Sequence, residues 1–169
     1  MKKHKILITI DGSEFSRLIL PKVRTFFSPQ DSELILLSVA VEPFAEHFQR
    51  TPLTAQQSVV PRYREDEGET VSSSGDFQGG QWEELISKLR YELKVVANEL
   101  AEEGYKVSTA VRASKDPAEE IIAVGKTESA DLIAMTTHGR TGARRLLMGS
   151  VAEQVLRKSA VPVMIFRPQ

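Results

Sequence analysis

The sequence contains no cysteine among its 169 residues. Disulfide bonds are therefore excluded, and so is a zinc site built from thiolates. The basic start, Met1 to Lys5, leads into only a short apolar run with no small-residue cleavage site behind it. We therefore expect no secretory signal, and we expect a cytoplasmic protein.

Long hydrophobic runs and an excess of one charge are also missing. No window reaches the roughly eighteen consecutive apolar residues that a membrane-spanning helix needs. The formal net charge is −1 at pH 7, so the basic excess of a typical nucleic-acid-binding domain is absent. We expect neither a nucleic acid nor a membrane as partner. The length suits one hydrophobic core, so residues 1–169 are predicted to form a single domain.

Segments typical of strands and helices alternate along most of the chain. Runs of apolar, β-branched residues predict strands, and apolar residues at helical spacing predict helices. The predicted strands are residues 6–10, 34–41, 106–112, 130–136 and 161–166. The predicted helices are residues 15–27, 81–103, 116–126 and 150–159. Residues 42–80 carry scattered prolines and no sustained periodicity, so they are predicted to be a long loop or insertion.

This alternation predicts an α/β fold, a doubly wound open sheet of five mainly parallel strands with helices on both faces. In such sheets ligands bind at the carboxyl ends of the strands, where the winding reverses. Asp11 follows the first strand, Val39 lies near the end of the second, and Met135 lies near the end of the fourth. These positions are therefore candidates for one ligand site.

The segment from Met135 to Ser150 is the strongest of these candidates. It leaves a strand and enters a helix, and its glycines would let a ligand approach the backbone closely. Free amides at the start of the following helix would face an anion. A Walker-type G-x-x-x-x-G-K-[ST] and a G-x-G-x-x-G after the first strand are both absent, which disfavours a P-loop hydrolase and an NAD-binding dehydrogenase. The segment is predicted to bind nucleotide phosphates through another motif.

This segment strongly resembles that of the universal stress protein family, whose ATP-binding members carry G-x2-G-x9-G-[ST] before the last helix. Gly139, nine intervening residues, then Gly149 and Ser150 match the second half of the motif. The first motif glycine falls on Thr136, whose side chain stands where the family lets ribose or phosphate approach bare backbone. The resemblance covers nearly the whole chain, through residues 6–13 (ILITIDGS), 117–121 (PAEEI), 130–135 (ADLIAM) and 161–163 (VPV).

The resemblance implies an adenine nucleotide α-hydrolase-like fold that binds ATP, with Mg²⁺ or Mn²⁺ carried by the phosphates. It implies that Asp11 and the backbone at Val39 face the adenine, and that Met135 and Thr136 face the ribose. It also implies a homodimer that forms through the last strand, between Val163 and Arg167. The candidates on the phosphate side are Gly139, Gly149, Ser150 and Val151, together with His138 and Arg140 of the same segment.

Several candidates also have a purely structural interpretation. Asp11 could orient its turn or cap the first helix. Ser150 and Glu153 form S-V-A-E, a capping box that needs no ligand. His138 has no nucleophile or carboxylate that the sequence places beside it, and the histidines are scattered, so we assign neither a catalytic residue nor a protein-bound metal. Trp82 begins an apolar helix face, which favours core packing.

Three functions compete on this basis. The first is a regulatory module of stress response or signalling whose recognition surface changes when ATP binds. The sequence does not identify the protein partner that would recognise this surface. The second, favoured by Thr136, is a dimeric interaction protein of the same family that binds no nucleotide. The third is a slow adenine-nucleotide hydrolase, for which the sequence offers no general base and no lysine to stabilise the leaving charge.

Overall fold

One sheet of five strands forms the centre of the structure, with the strand order β3-β2-β1-β4-β5. The computed structural model describes residues 3–41, 76–137 and 149–168, with the backbone only for residues 76–79. Within these ranges no helix is long and apolar enough to cross a membrane. The strands are β1 (His4–Thr9), β2 (Ser32–Val41), β3 (Lys106–Ser114), β4 (Leu132–Thr136) and β5 (Val163–Phe166). The helices are α1 (Glu14–Arg17), α2 (Leu20–Phe26), α3 (Asp76–Glu102), α4 (Pro117–Thr127) and α5 (Ser150–Lys158).

Strand β1 has a parallel neighbour on each side. Ile6 lies opposite Leu34 of β2 and opposite Leu132 of β4. The outer pairs, β2 with β3 and β4 with β5, are parallel as well. The chain therefore builds the sheet outward from β1 in one direction and then in the other, which is the reversal of a doubly wound sheet. The predicted fold class is confirmed.

Each face of the sheet buries its own apolar cluster. Successive residues of a strand point to opposite faces, so Ile6 and Ile8 of β1 enter one cluster while Leu7 enters the other. Helices α2 and α3 complete the first cluster, and α4 and α5 complete the second. Because both faces are covered, β1 and β2 are nearly continuous apolar runs, as expected for buried parallel strands.

The first predicted helix is in fact two short helices. Helix α1 ends at Arg17, and α2 starts again at Leu20 with Pro21 in its first turn. Pro21 has no amide hydrogen, so a helix that begins at residue 14 cannot continue through it with full hydrogen bonding. The single periodicity assumed for residues 15–27 is therefore wrong, and Phe15 and Phe26 are 57% and 66% exposed instead of buried.

Helix α3 starts earlier than predicted, at Asp76, so residues 76–80 are helical and do not belong to a loop. A glycine costs a helix only about 1 kcal/mol, which the buried part of α3 can offset. The stripe that faces the core begins at Leu89, whereas Leu85 is 40% exposed. Trp82 is partly buried and belongs to neither apolar cluster of the described residues, so its predicted core packing is wrong. Residues 42–75, the rest of the predicted insertion, lie outside the described residues.

The predicted start of α4 is confirmed. The Asp116 carboxylate accepts hydrogen bonds from the amides of Ala118 and Glu119, at 3.0 and 3.1 Å. Pro117 follows at the first helical position, where a missing amide hydrogen costs nothing. The Glu119 side chain does not fold back onto the cap, because it lies 2.6 Å from Lys158 Nζ of α5. The pair joins the two helices that cover one face of the sheet.

An ion pair joins α2 to the residue that follows α3. Arg24 donates from Nε to Glu103 Oε2 at 2.7 Å and from Nη2 to Glu103 Oε1 at 2.6 Å. These hydrogen bonds lower the pKa of the Glu103 carboxyl group from its ordinary value. A carboxyl group whose pKa is lower in the folded state stabilises the fold above its unfolded-state pKa and loses that contribution as the pH falls through its folded-state pKa.

Replacing Glu103 with glutamine should lower the free energy of unfolding at pH 7 by about 0.5 kcal/mol, as for other exposed ion pairs. The difference from the parent protein should shrink as the pH falls below the ordinary pKa of glutamate and through the lowered folded-state pKa of Glu103, where the parent also loses the charge. Urea unfolding at pH 7 and pH 3 measures both values. Glu102→Gln is the matched control, since Glu102 makes no ion pair within the described ranges. An equal difference in unfolding free energy at both pH values would contradict the ion pair of Glu103 with Arg24 as the cause.

Candidate functional site

The carboxyl ends of β1, β2 and β4 lie side by side at one edge of the sheet. Thr9 pairs with Leu37 of β2, so the same register carries Asp11 to the level of Val39. On the other side Ile8 pairs with Ala134 of β4, so Ile10 reaches the level of Thr136. Three of the predicted site residues, Asp11, Val39 and Thr136, are thus brought to the same edge where the winding reverses.

Two hydrogen bonds to β2 fix the point at which the chain leaves β1. The Ile10 amide donates to the Leu37 carbonyl at 2.8 Å, and the Ser38 hydroxyl donates to the Ile10 carbonyl. Ser38 is 1% exposed, so its hydroxyl needs this partner. It was not among the predicted site residues, although a lone hydroxyl inside an apolar strand is a signal that the sequence contains. The turn after β1 therefore starts from a fixed position.

Residues 11–13 form the turn that leads from β1 into α1. Asp11 Oδ1 accepts hydrogen bonds from the Ser13 amide at 3.0 Å and from the Ser13 hydroxyl at 2.6 Å. Ser13 Oγ in turn accepts from the Ser16 amide at 3.1 Å, so Ser13 is the N-cap of α1. Asp11 thus orients the turn, as one of its two structural interpretations stated, while the residue itself stays exposed at the edge of the sheet.

Helix α3 packs against the back of this turn. Gly12 has a φ of +80°, and a methyl group on it would lie 2.9 Å from Glu92 Oε2 and 3.1 Å from Leu89 Cδ2. Glu92 Oε2 is buried without a hydrogen-bond partner in the part of the chain that the structure describes. Glu92 was not predicted to belong to the site, but its position in the apolar stripe, three residues after Leu89, marks it in the sequence. The positive φ therefore favours glycine at residue 12, and a larger residue there would also require Glu92 and Leu89 to shift.

Gly12→Ala should lower the free energy of unfolding by about 2–4 kcal/mol. The left-handed backbone costs a residue with a side chain about 1–2 kcal/mol, and crowding against α3 adds about 1–3 kcal/mol before any relaxation. Gly80→Ala is the matched control, because nothing lies within 4 Å of the added methyl group and α3 should gain about 1 kcal/mol. Chemical unfolding measures both variants. Equal effects at the two positions would refute the packing constraint at Gly12.

The end of β4 contributes backbone more than side chains. Met135 is 4% exposed and packs in the cluster under α4 and α5, so only its backbone is left for a ligand at the edge. Thr136 is partly exposed and pairs with Phe166 of β5 in regular strand geometry. Its φ is not positive, since Ser129 is the only residue other than glycine with positive φ in the described ranges. The backbone at residue 136 therefore does not require glycine.

The start of α5 differs from the prediction. Gly149 is the N-cap, with φ −61° and ψ 144°, and within the described residues no side chain caps the helix. Ser150 is the first helical residue, so the predicted capping box with Glu153 is wrong, and the Glu153 carboxylate lies 3.6 Å from Arg157 Nη1 instead. The Glu153 amide makes the first helical hydrogen bond, to the Gly149 carbonyl at 2.9 Å. The amides of Ser150, Val151 and Ala152 therefore have no acceptor inside the helix.

Three predicted residues of this segment, His138, Gly139 and Arg140, lie outside the described residues. In the described ranges no three His, Asp or Glu side chains are grouped so that they could hold a metal ion. The chemistry available at this edge therefore consists of an exposed carboxylate at Asp11, strand backbone at Val39 and Thr136, and the amides that begin α5. Such a set can hydrogen-bond a neutral donor group and an anion.

The sequence model described as "Universal stress protein family" matches residues 3–167. This chain belongs to the universal stress protein family. Universal stress protein MJ0577 from Methanocaldococcus jannaschii is 29% identical over 163 residues, which are 96% of this chain and 94% of MJ0577. Universal stress protein YxiE from Bacillus subtilis is 28% identical over 167 residues, which are 97% of this chain and 99% of YxiE.

Solved structures of the family have the same fold as this universal stress protein. The structure of MJ0577 superposes with a TM-score of 0.75 at 25% identity and covers 100% of this chain and 99% of that one. The crystal structure of a universal stress protein in complex with cAMP gives a TM-score of 0.55 at 15% identity and covers 99% and 98% of the two chains. At that identity the second likeness concerns the fold alone.

Proposed function

We propose that this universal stress protein is a regulatory module of stress response or signalling that binds ATP or a related adenine nucleotide. The observation that supports this most directly is the start of α5, where Gly149 leaves three amides without a side-chain cap. A Ser, Thr, Asp or Asn at that position would satisfy one of these amides internally, whereas glycine has no side chain to do so. Among the described residues no side chain takes up these amides, and a phosphate is the ligand that the start of a helix favours.

The residues of the site fit an adenine nucleotide. Asp11 and the backbone of Val39 would hold the base, and the backbone of Met135 with Thr136 would lie beside the ribose. Mg²⁺ or Mn²⁺ would be carried by the phosphates, because the described residues offer no cluster of metal ligands. A cAMP complex of a universal stress protein with this fold is compatible with the proposal. The residues on the phosphate side would be Gly149, Ser150 and Val151, with His138, Gly139 and Arg140 of the same motif.

Regulation would follow from the position of the ligand between segments that leave different strands. A nucleotide that contacts both the turn after β1 and the start of α5 favours the arrangement in which the two are correctly placed, and it shifts the population toward that arrangement. The surface around the carboxyl edge would then differ between the free and the bound protein. We place this activity in the cytoplasm, where a protein partner would distinguish the free surface from the nucleotide-bound surface.

Gly149→Val should weaken nucleotide binding without unfolding the protein. The φ and ψ of Gly149, −61° and 144°, suit any residue, so valine adds no backbone strain. Its side chain would stand over the amides that face the phosphates. Calorimetric titration with ATP and Mg²⁺ should show saturable binding by the parent and at least about tenfold weaker binding by the variant. Ala160→Val, just beyond the other end of α5, is the control and should bind like the parent.

The matched gain-of-binding variant is Thr136→Gly, which completes the family motif. It should bind ATP more tightly than the parent, and Thr137→Gly, whose side chain points the other way, should not. If neither the parent nor Thr136→Gly binds an adenine nucleotide, the second candidate function holds: a dimeric interaction protein of the same family without a nucleotide. Release of phosphate during the titration would identify the third candidate, a slow hydrolase.

We also propose that the protein forms a homodimer through β5. Within the described sheet β5 has a neighbour on one side only, and its four residues, Val-Met-Ile-Phe, are uncharged and half-buried. Such an apolar edge is a template for pairing with the same strand of a second copy.

Light scattering at micromolar concentration should give the mass of a dimer for the parent and of a monomer for Ile165→Lys. Thr109→Lys, on the opposite edge strand, should remain a dimer. Far-UV circular dichroism of both variants checks that the fold is retained, and a monomeric parent would refute the dimer.

A further inference from the structure

A groove lies along β3, at the edge of the sheet opposite to β5. Its volume is about 460 Å³, and it is open to solvent. The residues of β3 that line it, Val107, Thr109 and Val111, alternate along the strand and so share the face toward α3. The wall formed by α3 consists of Arg90, Lys94 and Ala97. The groove therefore has an apolar floor and two cationic side chains on its helical wall.

The outer edge of β3 lacks several of the usual protections of an edge strand. All nine residues of β3 pair in continuous register with β2, so the strand has no bulge. It contains neither proline nor glycine, and no described strand pairs with its other side. Natural sheets protect such edges with prolines, bulges, short strands or charged side chains, and of these β3 has only the charged side chains of Lys106 and Arg112. The hydrogen-bonding groups of this edge run beside the groove.

The charges of the groove indicate what it accepts. Arg90 and Lys94 lie one turn apart on α3, and neither forms an ion pair or a side-chain hydrogen bond within the described part of the chain. The basic residues of β3 itself are already paired, Lys106 with Glu33 and Arg112 with Glu120. A second copy paired through β3 would bring its own α3 alongside, so that Arg90 and Lys94 of the two copies would lie near each other, and like charges across an interface are destabilising. The uncompensated charge thus favours an acidic occupant over a second copy.

We propose that β3 and this groove dock an extended acidic segment of a protein partner, which adds to the sheet as a further strand. Alternate side chains of such a segment face α3, so glutamates at every second position would reach Arg90 and Lys94 with their carboxylates. Their aliphatic stems would cover Ala97 and the two valines. Backbone hydrogen bonds to β3 supply affinity in strand addition, and the alternate side chains supply specificity. The surface lies on the far side of β2 from β1, and it does not depend on the nucleotide.

The test uses the full chain and a fluorescein-labelled peptide of four Thr-Glu repeats, followed by fluorescence anisotropy at low salt. The peptide should bind saturably, and a Thr-Lys peptide of the same length should not. The double variant Arg90→Glu with Lys94→Glu should bind the acidic peptide at least about tenfold more weakly. Lys88→Glu, an exposed site on the same helix, is the charge control and should bind like the parent. Thermal unfolding checks that the variants are folded.

A second peptide separates strand addition from simple anion binding. The same Thr-Glu peptide with alternate amides N-methylated, so that its backbone cannot pair with β3, should lose binding. Retained binding would show that the groove recognises carboxylates alone and would overturn the added strand. Absence of binding by the parent, or equal binding by the double variant, would overturn the proposal as a whole. Thr109→Pro tests for a second copy at the edge. If the parent associates with itself in the absence of peptide and this variant does not, a second copy occupies the edge, and the proposal of an acidic partner is overturned.

Discussion

The pairing of β1 with β2 on one side and with β4 on the other is the constraint on which the rest of the structure depends. It divides the chain into one part that covers the first face of the sheet and another that covers the second. It also brings the ends of three strands to one edge, and the hydrogen bonds of Ile10 to Leu37 and Ser38 hold the exit from β1 in place. The turn at residues 11–13 is fixed from behind by α3, because Gly12 lies against Glu92 and Leu89. The candidate site is therefore formed on a rigid frame.

Features that depend on neighbouring residues could be read from the sequence. The strands were visible because a parallel strand covered on both faces is a continuous apolar run, and Asp116 with Pro117 marked the start of α4 through local hydrogen bonding. Features decided by packing were missed. Nothing local brings Glu92 to Gly12, since 80 residues separate them, and the interruption before Pro21 was hidden by an apolar spacing that suits one long helix.

The candidate site likewise could be predicted from the sequence only in part. The presence of Asp11, Val39 and Thr136 at one edge followed from the topology alone. The choice of Gly149 over Ser150 as N-cap depends on the direction from which the chain enters α5, which a capping-box pattern does not determine. Met135 was predicted as a contact residue, yet the alternation of the strand turns its side chain into the core. A motif thus indicates a segment without deciding which of its atoms are available to a ligand.

The double pairing of β1 also affects how the protein is made. Ile6 of β1 is synthesised long before its partner Leu132 of β4. Contacts so distant in sequence slow folding, because the intervening chain must be ordered before they form. During translation β1 can rest against β2 while its other side stays open and apolar, in a state prone to mispairing with other nascent chains. A chain of this topology is therefore most exposed to mispairing in the interval before β4 has been synthesised.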